Sequence, residues 1–181
     1  YGVIRAAVAH ARETGTRVMC MVRPRGGSFE YDPDEAAMMR DDLLFAKRLG
    51  VDGVVFGCLR DGHLDRELTS ELARLAHEDA PDAPGHVDVT FHMAFDALPA
   101  DEQLAAIDWL ADQGVERILT HGGAAGTPIA DNLGRLREFV ERAAGRITIL
   151  PGGGITWENA ESVALELGVS EVHGTKIVRV A

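Results

Sequence analysis

Leu49-Gly50-Val51-Asp52-Gly53-Val54-Val55-Phe56-Gly57 closes a helix on a glycine and launches an apolar strand almost at once. A helix that stops at glycine and turns into a strand within two or three residues is what a parallel βα unit requires. The helix itself starts at Asp32-Pro33-Asp34-Glu35, where a capping aspartate, a proline in the first turn and a glutamate three residues on mark its beginning. The same closure recurs at Gln113-Gly114-Val115-Glu116 and at Leu167-Gly168-Val169-Ser170. Working outward, apolar periodicity predicts helices over 1–13, 32–49, 65–78, 100–113, 130–144 and 157–167. Strands are expected over 17–22, 51–57, 86–92, 117–120, 146–150 and 171–173. Strands this uniformly apolar belong to a parallel sheet covered by helices, an α/β fold. Glycine-rich or polar segments follow nearly every strand, which favours a TIM (β/α)8-type barrel over an open doubly wound sheet. Eight strands complete a barrel and six are legible. The expectation is therefore a single TIM-barrel domain over 1–181 holding strands 3 to 8, with the first βαβ portion and the last helix missing.

The totals narrow the classes of function. A chain of 181 residues, 46% hydrophobic and 26% charged, suits one domain with a real core. A net charge of −11 argues against a nucleic-acid partner. No uncharged run reaches membrane-spanning length and no signal peptide is visible, so no membrane partner is expected. Cys20 and Cys58 each lie in or beside an apolar strand, a pattern of reducing compartments that points to the cytoplasm.

The residues that could carry chemistry fall at strand C-terminal ends, where barrel active sites form. Arg23-Pro24-Arg25-Gly26-Gly27 directly follows the apolar run 18–22. Two guanidinium groups on a rigid, glycine-terminated turn suit a carboxylate or phosphate, with surface ion pairs as the competing reading. Strand alternation points Arg23 inward with Met19 and Met21. His92-Met93-Ala94-Phe95-Asp96 places an imidazole and a carboxylate on one loop, with His92 as acid/base or ligand and Asp96 orienting it. Pro151-Gly152-Gly153-Gly154 and His173-Gly174-Thr175 follow the last two strands, where barrels bind phosphate through backbone amides. Gly153, Gly154, Gly174 and Thr175 are thus candidate anion contacts, and His121 in Thr120-His121-Gly122-Gly123 a further polar one. Cys58 and His92 are the candidate metal ligands, a thiolate and an imidazole suiting copper(I) or zinc, although no CxxC, HxH or HExxH spacing supports them.

Met21 through Gly27, Asp52 through Gly57, Thr90-Phe91-His92 with Ala94-Phe95-Asp96, Gly122-Gly123-Ala124, 151–155 and Glu171-Val172-His173-Gly174 resemble, in order, the motifs of the CutC copper-homeostasis family. The resemblance implies a TIM barrel, cytoplasmic in bacteria, serving copper tolerance and proposed to bind copper(I). Two positions depart from the family pattern: Met93 stands where Arg is usual, and His121 where Ser is usual. Two readings stay open. One is a copper-homeostasis protein that binds copper(I). The other is an enzyme acting by acid/base chemistry on a small anionic or phosphorylated metabolite, with Arg23 and Arg25 holding the anion. Either takes a small-molecule or metal ligand, and a homo-oligomer is compatible with both.

Overall fold

The computed structural model describes residues 1–83 and 85–178. The chain divides into two compact units, Tyr1–Thr90 and Phe91–Ala181. The first contains α1 (Gly2–Thr14), β1 (Met19–Met21), α2 (Pro33–Arg48), β2 (Gly53–Phe56), β3 (Leu59–Arg60), β4 (His63–Leu64) and α3 (Arg66–His77), and closes on β5 (Asp88–Phe91). The second contains α4 (Gln103–Asp112), β6 (Arg117–Thr120), α5 (Leu133–Ala143), β7 (Thr148–Pro151) and α6 (Ala160–Leu167). Two short 3₁₀ turns, Met93–Ala97 and Ile129–Asn132, precede α4 and α5. The alternation of strands and helices is the α/β class expected from the sequence.

In the first unit β1 pairs in parallel with β2 (Met19 opposite Gly53, Met21 opposite Val55), and β2 lies between β1 and β5. Gly53 is glycine for a reason of space. A Cβ there would stand 2.2 Å from the Met19 methyl carbon, which lies across it. Helix α2 begins as its sequence dictates: Asp32 Oδ1 accepts from Glu35 N at 2.9 Å, and Glu35 Oε2 accepts from Asp32 N at 3.1 Å. Buried Lys47 donates to the carbonyls of Leu75 and Glu78 at the end of α3, where a helix carries partial negative charge. Met39, Leu43, Phe56 and Leu72 are fully buried within this unit. In the second, β6 pairs in parallel with β7 from Arg117 opposite Thr148 to Thr120 opposite Pro151. Phe95 meets Phe139 edge to face, ring centres 5.3 Å apart, among buried Ile107, Leu110, Ile118 and Leu136.

Three local expectations change. The antiparallel pair β3–β4 was not anticipated. It turns on Asp61 (φ 53°) and Gly62 (φ 78°), the Asp-Gly pair that two-residue hairpins favour. Residues 171–173 form no ladder with the described residues; His173 N donates to the Pro151 carbonyl at 2.8 Å, and the Glu171 carboxylate accepts from Arg117 at the start of β6. Met21, assigned to the interior by alternation, is 54% exposed, because β1 is an end strand paired on one side.

Candidate functional site

In the first unit, the loop after β1 carries both arginines. Arg25 commits its whole guanidinium locally. Its Nε and Nη2 reach the Glu35 carboxylate, Nη2 also donates to the Glu30 carbonyl (2.7 Å), and Nη1 donates to the Ser28 carbonyl (3.0 Å). A ligand at Arg25 would have to displace these bonds. Arg23 is spent less completely. Its Nη2 donates to the Gly27 carbonyl at 2.7 Å and its guanidinium lies 4.6 Å above the Phe29 ring. The Arg23 Nε is buried with no acceptor among the described residues. Tyr31, which the sequence did not single out, brings its half-buried phenol beside Arg23. Burial, then Cys58, pushes that phenol up, and Arg23 opposes them.

Cys58 is fully buried in this unit. Burial pushes its thiol well above the ordinary cysteine range, and the Asp65 carboxylate adds to the rise. Asp65 itself caps α3 by accepting from Leu68 N at 3.1 Å and pairs with Arg60 at 3.0 Å. A thiol held protonated is neither a nucleophile nor a ready metal ligand. Native protein treated with a thiol-specific disulfide reagent is therefore expected to lose only the half-buried Cys20 thiol, and slowly, since burial raises that thiol too. Cys58 should react only once denaturant is added. Reaction of both thiols at equal rates in native protein would contradict this environment.

The second unit holds the remaining candidates. His92 is 4% exposed and caps the Met93–Ala97 turn, its Nδ1 accepting from Ala94 N at 3.1 Å. In the neutral ring that bond assigns the proton to Nε2. Asp96 does not turn to His92. Its carboxylate accepts from the Thr120 hydroxyl, from His121 N at 2.9 Å and from Gly122 N at 3.3 Å. Burial pushes the Asp96 carboxyl upward, opposed by these three hydrogen bonds and by the nearby His121. His121 is buried, with Nδ1 3.0 Å from the Gly152 carbonyl and Nε2 2.9 Å from the Thr127 carbonyl.

The glycine loops show two uses of a missing side chain. A Cβ on Gly153 (φ 82°) would stand 2.7 Å from His121 Nδ1, and one on Gly174 2.1 Å from the Ile155 carbonyl oxygen. Gly154 has open space around it but a φ of 76°. Thr175 is exposed beside Gly174. The structure thus joins Asp96 and His121 in one hydrogen-bonded network that reaches the Gly152 carbonyl next to Gly153, with Thr120 and Thr127 as members that sequence reasoning missed. Thr120 was visible as the last residue of an apolar strand; Thr127 carried no signal. Arg23, Arg25 and Cys58 belong to the first unit and form a separate set.

Comparison with known proteins follows the same lines. The CutC family model matches residues 1–178. A CutC family protein of Enterococcus faecalis is 52% identical over 178 residues, covering 98% of this chain and 81% of that protein. The copper homeostasis protein cutC homolog of Mus musculus is 38% identical over 157 residues, covering 86% of this chain and 53% of that protein. The crystal structure of CutC from Streptococcus agalactiae, described as a candidate copper homeostasis protein, has a TM-score of 0.91 at 39% identity. It covers 98% of this chain and 81% of that one. No helix among the described residues is long and apolar enough to cross a membrane. On the family match, the identities and the shared fold, the chain belongs to the CutC family.

Proposed function

We propose that this CutC protein serves copper homeostasis by acting on a small anionic metabolite, through acid/base chemistry centred on His92, rather than by holding copper(I) on Cys58 and His92. The observation that carries the reading is the bond from Ala94 N to His92 Nδ1. A metal at Nε2 needs a lone pair there, hence a proton on Nδ1, which would then face another N–H. With the proton on Nε2, His92 donates a hydrogen bond to an oxygen of the ligand, and a proton it yields as negative charge grows there returns to the same Nε2 when that charge collapses, so the ring ends neutral as it began. The backbone amides of Gly153, Gly154, Gly174 and Thr175 are the proposed anion contacts beside His92 in the second unit; Arg23, in the first, is a separate candidate for an anion of its own. Asp96 is a positioning residue, since its acceptors are spent on Thr120, His121 and Gly122. The proposed setting is the cytoplasm, in keeping with two free cysteines.

Direct copper(I) binding is the second reading, favoured by the copper homeostasis name of the mouse relative. Thermal melting separates the two, because a ligand that binds only the native state raises the melting temperature. Inorganic phosphate is expected to raise it, and Arg23→Ala to reduce that shift. Any copper(I) shift should survive both Cys58→Ser and His92→Gln. No response to phosphate, with a copper(I) shift lost in either variant, would reverse the assignment.

A further inference from the structure

We infer that His121 is a doubly protonated strut, donating from Nδ1 to the Gly152 carbonyl and from Nε2 to the Thr127 carbonyl, and so fixing a positive charge beneath the turn at residues 153–154. The inference starts from a donor count. Both ring nitrogens lie within 3.0 Å of carbonyl oxygens, which can only accept. A neutral imidazole has one N–H, so one of these contacts would set a nitrogen lone pair against an oxygen lone pair. The Thr127 hydroxyl does not relieve this. Its proton is directed at the Ala124 carbonyl at 2.8 Å, and its oxygen accepts from Asn132 Nδ2 at 2.9 Å. The hydroxyl oxygen, 3.2 Å from Nε2, is therefore a second acceptor for the same N–H.

The surroundings suit a buried cation. The Asp96 carboxylate accepts from the His121 backbone N, bringing the opposite charge to the same corner, and electrostatic attraction between the two groups acts against the burial of Asp96. A further titratable group at this corner, among the described residues, is His173, whose Cβ and Cδ2 lie 3.6 Å from where a Gly152 Cβ would stand. Gly153 completes the arrangement: a Cβ there would stand 2.7 Å from His121 Nδ1, so only a glycine leaves the ring its place. An anion held by the 153–154 amides would then lie near a fixed positive charge whose own ring is buried, where a charge acts more strongly than in water. This part rests on the anion-binding reading proposed above; the protonation state does not.

Two measurements on the full chain test it separately. Ring-nitrogen NMR of ligand-free protein near neutral pH, with His121 identified from the His121→Gln spectrum, should show both nitrogens protonated. A single protonated nitrogen overturns the inference outright, whatever any ligand does. Sulfate binding at a single, neutral pH then probes the loop. Its affinity is expected to fall about tenfold in His121→Gln, the effect of removing one nearby charge after partial screening. His173→Gln should leave it unchanged. An unchanged affinity in His121→Gln would overturn the electrostatic role. Absence of sulfate binding in the unaltered protein would overturn that role together with the anion reading, leaving the strut to the spectrum.

Discussion

Asp96→Ala is expected to lower the unfolding free energy by about 3 kcal/mol, read as a shift of the urea midpoint without a change in slope. The figure comes from counting what the carboxylate satisfies: the Thr120 hydroxyl and the amides of His121 and Gly122. Each bond to a charged acceptor contributes about 1.5–3 kcal/mol, but three donors on one group are not additive, and water can reach some of them after truncation. Asp96→Asn should cost less, because one carbonyl acceptor survives while the new NH₂ group opposes an amide. The pH dependence has a definite sign. Burial raises the native carboxyl, so the folded state keeps its proton to higher pH than the unfolded chain does. From the ordinary aspartate value near 3.9 up to the raised native value, this group makes stability decline as pH rises, with no further change above that. In Asp96→Asn that decline should be gone. An Asp96→Ala variant within about 0.5 kcal/mol of the parent would show that the three donors have other partners.

Gly174→Ala is expected to cost a comparable amount, about 3 kcal/mol, and to do so for a steric reason. The added Cβ would stand 2.1 Å from the Ile155 carbonyl oxygen and 2.9 Å from its carbon. Both are backbone atoms, so no side chain can swing away. One segment has to move, and the bond from His173 N to the Pro151 carbonyl lies one residue away. Gly154→Ala is the control. It meets nothing within 4 Å and bears only the cost of φ 76° for a residue with a Cβ, about 1 kcal/mol. Equilibrium denaturation of the two variants side by side reads the difference. Equal costs would mean that residues 173–174 do not approach Ile155 so closely.

The parts of this protein that were legible in its sequence are the ones decided by neighbours in the chain. The cap at Asp32 and Glu35 needs only residues three apart, and it forms as read. The five strands β1, β2, β5, β6 and β7 fall inside the apolar runs that announced them, apart from one residue at the end of β7. The β3–β4 hairpin was also local, and Asp61-Gly62 was its signal, but strands of two residues are too short for alternation to register. The candidate site was legible as a set of residue types and not as a set of bonds. That His121 would span Gly152, 31 positions away, or that Asp96 would serve Thr120, 24 positions away, depends on register between elements. The fate of Arg25 was ambiguous for another reason. The same fork of donors that suits a phosphate also suits three carbonyls and a carboxylate, and only the folded loop shows which it meets.

That loop has a consequence for anyone who would rebuild this protein. From Arg25 to Glu35 the segment is tied through one guanidinium to partners that all lie inside it: Gly26, Ser28, Glu30 and Glu35. The β3–β4 hairpin holds it from outside as well, Leu59 N donating to the Phe29 carbonyl at 2.8 Å and Gly62 N to the Glu30 carboxylate at 2.8 Å, so segment and hairpin make one part. Lengthening or shortening the chain within the segment would undo both sets of bonds, whereas moving it together with residues 59–64 would carry the shape along.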